Sequence, residues 1–198
     1  GDTNMVYHLP VFYDIDSKKQ ILTALPRLTH INSMSFRWSQ NPGLVYAYYQ
    51  ERGFKEATVL QLNLSNNRKI NLVQERSQTN IDNFRYYLIE EKDKILFASE
   101  RSGWRQLYTS NIIDGAIKPI TNGQYYVNQV LRIDPDKGLI YFLASGKERD
   151  RNPYLQHLYC VRLDGSELKL LTPENSHHQI QFAPNGQFFV DNFSTANT

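Results

Sequence analysis

Short apolar runs of Tyr, Val, Ile, Leu and Phe, each closed by Gly, Asn, Asp or Pro, alternate with polar turns along the chain. Residues 44–49, 57–64, 95–99, 107–111, 139–144, 155–163 and 188–190 have the length and side-chain type of β-strands. No longer segment keeps apolar positions at helical spacing behind a capping residue, so no helix is predicted.

The strands recur with a period. The stretches 13–19, 62–68, 111–117 and 161–167 each run from an apolar strand into a turn of Asp, Asn, Ser or Gly, and their anchors Ile15, Leu64, Ile113 and Leu163 are 49, 49 and 50 residues apart. A second turn follows at a similar offset, at Asn41-Pro42-Gly43, Glu91-Lys92-Asp93-Lys94, Asp136-Lys137-Gly138 and Asn185-Gly186. Within a period, a strand leads to a variable polar hairpin (50–56, 100–105 or 145–154), and a second strand ends at the Asp-Gly type turn. A third follows, as at 118–121 and 169–172, and a further strand completes the set. Four strands in a period of this length, with no helix, predict β-propeller blades, which must stack because one blade cannot bury both its faces. The fold expected is all-β, about four blades of four antiparallel strands, with approximate repeats 1–43, 44–93, 94–138 and 139–186 and a connector over 187–198. Four blades are at the low end for a closed ring, so the chain is expected to be part of a larger propeller.

Composition agrees with packed sheets. Of 198 residues 13% are aromatic, including 13 Tyr and 10 Phe, and flat rings fill the broad layers between sheets. The net charge of +2 comes from scattered residues, which argues against a nucleic-acid partner. The single cysteine, Cys160, lies inside a strand and reads as a small buried hydrophobe, not a reactive thiol. No apolar run is long enough to span a membrane, and no signal peptide is present. Gly1, where Met would stand, reads as a residue left by tag removal.

The run Phe97-Ala98-Ser99-Glu100-Arg101-Ser102-Gly103-Trp104-Arg105-Gln106-Leu107-Tyr108 resembles the N-terminal propeller of dipeptidyl peptidase IV-like enzymes, in the prolyl oligopeptidase group of serine peptidases. The resemblance continues through Ile120-Thr121-Asn122-Gly123, Val127, Val130, His157-Leu158-Tyr159, Leu163-Asp164-Gly165 and Leu171-Thr172-Pro173-Glu174. It extends through Phe182-Ala183-Pro184-Asn185-Gly186, Phe188-Phe189-Val190-Asp191 and Ser194-Thr195-Ala196-Asn197, with weaker support from Tyr7-His8-Leu9 and Trp38. Three departures stand out. Gln106 replaces a usual His, Tyr125-Tyr126 replaces a common Trp-Glu, and Ala183 replaces a common Ser.

The resemblance implies a secreted or periplasmic two-domain serine exopeptidase, in which an eight-bladed propeller gates access of short peptides to an α/β-hydrolase domain. In such a protein a pair of glutamates in the propeller binds the substrate's free amine. The Gly-x-Ser-x-Gly nucleophile elbow is absent from this sequence: neither Ser102 nor Ser166 has both flanking glycines. The chain is therefore expected to have no catalytic residue of its own, with the hydrolase domain beyond Thr198. Glu90-Glu91 aligns with between-strand turns and reads as a solvated turn, not the amine clamp, which is expected upstream of Gly1.

His177-His178 has no further Cys or Asp at ligand spacing, so packing or hydrogen bonding is expected instead of a metal, and no cofactor is implied. Trp38 and Trp104 are expected in the core between blades. The sequons Asn63-Leu64-Ser65 and Asn192-Phe193-Ser194 lie in or beside predicted strands. Peptide substrates through the parent enzyme, a covalently linked hydrolase domain and a homodimer are the partners considered. A stand-alone or pseudo-enzyme propeller that binds protein or peptide is the alternative reading.

Overall fold

The computed structural model describes residues 6–29, 34–82 and 84–194. Gly1 and the Thr195-Ala196-Asn197 end of the resemblance lie outside them. The chain opens with β1 (Tyr7–His8), β2 (Phe12–Asp14), β3 (Lys19–Ile21) and β4 (Leu28–Thr29), where β2 pairs with β3 and β1 with β4. Three four-stranded antiparallel sheets follow. The first is β5 (Ser35–Trp38), β6 (Leu44–Gln50), β7 (Glu56–Asn63) and β8 (Lys69–Arg76), paired in that order. The second is β9 (Tyr86–Ile89), β10 (Lys94–Ser99), β11 (Gln106–Asn111) and β12 (Ile117–Pro119), and the third β13 (Tyr126–Asp134), β14 (Leu139–Ser145), β15 (Gln156–Arg162) and β16 (Lys169–Leu170). A last pair joins β17 (His177–Phe182) to β18 (Phe189–Ser194). Among the described residues the sole helical element is one 3-10 turn, Glu90–Lys92. The all-β fold of four-stranded blades read from the sequence is the fold observed.

Each four-stranded sheet begins one strand earlier than the repeats 44–93, 94–138 and 139–186, which open on β6, β10 and β14. The reason is burial. The two middle strands of each sheet are covered on both faces, as at Val45, Tyr46 and Ala47 in β6, all fully buried, so their sequences run continuously apolar. The outer strands are partly solvated and their apolar positions sparser, as in Lys69–Arg76 and Tyr126–Asp134. The connector expected over 187–198 is corrected as well. Residues Phe189–Ser194 form β18, held in register by pairs from Phe182↔Phe189 to His177↔Ser194. The exposed Phe189, Val190 and Phe193 disguise a strand whose buried contact is made by Asp191.

The chain divides into two compact units. One comprises residues 1–85, 93–95 and 110–117, and its core is Phe12, Leu25, Val45, Ala47, Leu60 and Leu62. The other comprises residues 86–92, 96–109 and 118–198, and its core includes Leu96, Leu107, Tyr125, Ile140, Phe142, Tyr159 and Val161.

The repeated turns share one construction. An Asx side chain accepts a backbone N–H two or three residues on: Ser17 N to Asp14 Oδ1, Ser65 N to Asn63 Oδ1, Ile113 N to Asn111 Oδ1 and Ser166 N to Asp164 Oδ1, at 2.7–3.0 Å. The apolar anchors are less uniform than their spacing suggests. Leu163 is buried, whereas Ile15 and Ile113 face solvent. In the second unit Gly165 has φ +87°, and a Cβ there would sit 3.0 Å from the Ile120 carbonyl oxygen. Only glycine lets this turn close on the neighbouring backbone.

Candidate functional site

The residues with chemical potential occupy three settings: turns, a buried polar seam in the second unit, and the hairpins between the middle strands. Glu90 and Glu91 lie in the 3-10 turn between β9 and β10, as the turn signals predicted. Ser102 and Ser166 are structural. The Tyr108 hydroxyl donates to Ser102 Oγ at 2.9 Å, and Ser166 Oγ donates to Asp164 Oδ1 at 2.6 Å. Asn63 is committed to its turn, while Asn192 stands on β18 opposite Gln179. Among the described residues no group of three or more His, Cys, Asp and Glu is placed to hold a metal. Cys160 is buried on β15, and burial pushes its thiol up.

The seam repeats in successive sheets. In the second sheet Leu107 N donates to Thr121 Oγ1 at 2.9 Å, and the fully buried Gln106 donates from Nε2 to the Tyr125 carbonyl at 2.7 Å. In the third sheet Leu158 N donates to Thr172 Oγ1, again at 2.9 Å. His157 stands in the place of Gln106, its Nδ1 3.1 Å from the Thr172 carbonyl. A carbonyl only accepts, so Nδ1 carries the proton and Nε2 presents a lone pair, which is buried without a partner. Burial holds His157 below the usual imidazole value. The departure at Gln106 therefore keeps the role of the His in the next sheet, with a side-chain amide donating in place of a ring N–H.

His178, on β17, is fully buried beside it. Its Nδ1 lies 2.7 Å from Asp191 Oδ2 and its Nε2 3.2 Å from the Glu174 carbonyl. Both neighbours are hydrogen-bond acceptors. His178 is thus held in the seam by hydrogen bonds at both ring nitrogens. Its pairing with Asp191 is not legible in the sequence, because no spacing rule links a β17 residue to one on β18 before the register is known.

Trp38 and Trp104, expected in the core, are instead 66% and 45% exposed. Trp38 sits on the outer strand β5 and meets Phe12 edge-on at 6.0 Å. Trp104 sits on the hairpin 100–105. That hairpin is braced on every side: Gly103 N donates to the Glu100 carbonyl at 2.8 Å, and Ser102 Oγ donates to the Trp104 carbonyl at 3.4 Å. The Arg101 guanidinium lies 5.1 Å from both the Phe97 and Tyr108 rings. Arg105 donates from Nη1 to the carbonyls of Val127 and Asn128 at 2.9 and 2.6 Å, and lies 5.7 Å from the Tyr126 ring. In the hairpin 146–155, the Tyr159 hydroxyl donates to Glu148 Oε1 at 2.9 Å, while Lys147 Nζ lies 5.7 Å from the Tyr159 ring. Burial, then Glu148, pushes the Tyr159 phenol up.

A family model described as "Dipeptidyl peptidase IV (DPP IV) N-terminal region" matches residues 1–198. The chain is 25% identical over 114 residues to dipeptidyl peptidase 4 of Arthroderma otae, covering 55% of this chain and 14% of that protein. In fold it is similar to Porphyromonas gingivalis dipeptidyl peptidase 4, with a TM-score of 0.70 at 14% identity, over 95% of this chain and 26% of that one. TolB from Acinetobacter baumannii aligns with a TM-score of 0.52 at 15% identity, over 89% of this chain and 41% of that one. The chain thus spans a small part of the length of the relatives it matches.

Proposed function

We propose, since the chain belongs to the family of dipeptidyl peptidase IV N-terminal regions, that it is the non-catalytic propeller portion of a serine dipeptidyl peptidase. In that reading the propeller gates access of short peptides to an α/β-hydrolase domain encoded beyond Thr198, in a protein of the periplasm or the extracellular space. The observation that carries the reading is the family match across residues 1–198, in a sequence of four-stranded sheets without a Gly-x-Ser-x-Gly elbow. Four-stranded blades supply rigid walls and variable hairpins but no nucleophile, so the chemistry belongs to another domain. Among the described residues no helix is long and apolar enough to cross a membrane.

The test is made on the complete gene product. It should be several-fold larger than 23.1 kDa, react with a serine-directed fluorophosphonate, and release N-terminal dipeptides from short peptides while sparing folded proteins. A gene that lacks the nucleophile elbow would overturn the peptidase reading and favour a binding propeller.

A further inference from the structure

Arg105 combines three properties that arise independently. Its Nη1 is fixed by two backbone carbonyls, those of Val127 and Asn128. The Nε–Nη2 edge, opposite that anchor, accounts for neither bond and is the edge that fits a carboxylate with two parallel hydrogen bonds. The guanidinium faces the Tyr126 ring at 5.7 Å, and that ring is 39% exposed.

The backbone beneath is fixed as well. Val127 N donates to the Arg105 carbonyl at 2.9 Å, and the Ser102 hydroxyl holds the Trp104 carbonyl. A braced hairpin has already lost the backbone freedom that binding would cost a mobile loop. A fixed cation beside an amphipathic ring recognises an anion joined to an apolar group.

We propose that Arg105 and Tyr126 form a subsite for the C-terminal carboxylate of a short peptide. The guanidinium edge holds the carboxylate and the Tyr126 ring holds the apolar side chain of the terminal residue, with Trp104, the residue before Arg105, close enough in the chain to report on it. The choice of a peptide rests on the peptidase reading above, whereas the carboxylate chemistry rests on the geometry alone. No covalent step is involved.

The test is a titration of the 198-residue chain carrying Trp38→Phe, so that Trp104 is the remaining indole and its emission reports binding. The probes are N-acetyl-Gly-Phe with a free carboxylate and the same peptide as its carboxamide. The free acid should bind about tenfold tighter than the amide, the usual return of a charge-assisted bidentate contact. Arg105→Lys, which keeps the charge but loses the fork, should remove most of that preference, and because it also weakens the hold on the Val127 and Asn128 carbonyls the titration is run below its own melting temperature. Equal binding of acid and amide overturns the proposal, as does an acid preference that survives Arg105→Lys. Dipeptide release by the complete gene product is measured separately. Loss of the carboxylate preference with release intact sinks the subsite alone, and absence of release with the preference intact sinks the peptidase reading alone.

Discussion

The rings of His157 and His178 lie with centroids 5.2 Å apart in the buried seam of the second unit, and their hydrogen-bond surroundings differ. His178 faces two acceptors; His157 faces one and keeps a bare lone pair. The titratable and charged groups around His157 are His178 and, on the hairpin 146–155, Arg151 and Glu148.

Stability is expected to fall as the medium is acidified. Burial depresses the folded-state value of His157 below the ordinary 6.5, so the unfolded chain takes the proton first. The contribution is complete above pH 6.5 and is lost as pH drops from there toward the depressed folded value. Denaturation midpoints measured in steps from pH 7.5 to about 5 would show it. His157→Gln, which installs the side chain that works at Gln106, should fold and flatten that part of the profile. An unchanged slope would remove His157 as the cause.

Asp191→Ala strips the fully buried His178 of the acceptor at its Nδ1 and should cost about 3 kcal/mol by chemical denaturation. Asp191→Asn keeps an acceptor oxygen and should cost less than half as much. Equal losses would mean that the charge, not the hydrogen bond, carries the contact.

The two threonine clasps should respond alike. Thr121→Val and Thr172→Val each remove the hydroxyl that accepts a buried backbone N–H, that of Leu107 or Leu158, without changing shape. Each should cost about 1–3 kcal/mol, and the serine variants should recover most of it. A cost in one sheet and none in the other would show that the repeat is one of shape and not of energy.

Gly165→Ala should destabilise the chain more than Gly138→Ala. Both residues have positive φ, +87° and +65°, so an alanine pays the left-handed cost of about 1–2 kcal/mol in either place. At Gly138 a Cβ meets nothing within 4 Å, whereas at Gly165 it presses on the Ile120 carbonyl. A difference between the two melting temperatures measures the press alone.

The fold was legible where burial on both faces makes a strand continuously apolar. β6, β10, β14 and β15 stand out in the sequence for that reason. β8 and β17 did not, because their polar positions face solvent or a buried partner, and β17 begins with two histidines. The turns were legible because Asp and Asn side chains make them locally. The seam was not, since the pairing of His178 with Asp191 depends on the β17–β18 register. Neither was the Arg105–Tyr126 contact, which depends on where β13 starts relative to β11. Trp104 misled because a large aromatic implies a core by size alone, and its hairpin holds it outward with side-chain bonds that no periodicity encodes.

The Thr121–Leu107 and Thr172–Leu158 clasps are the same length, although the hairpins just ahead of them, 100–105 and 146–155, differ in length. Each sheet therefore regains its register immediately after its hairpin, whatever that hairpin contains. Foreign sequence spliced into 146–155 should be carried as passive cargo provided that it keeps Lys147 and Glu148 on the Tyr159 ring and Arg151 near His157, and a library displayed between those residues could be varied in length without re-engineering the scaffold beneath it.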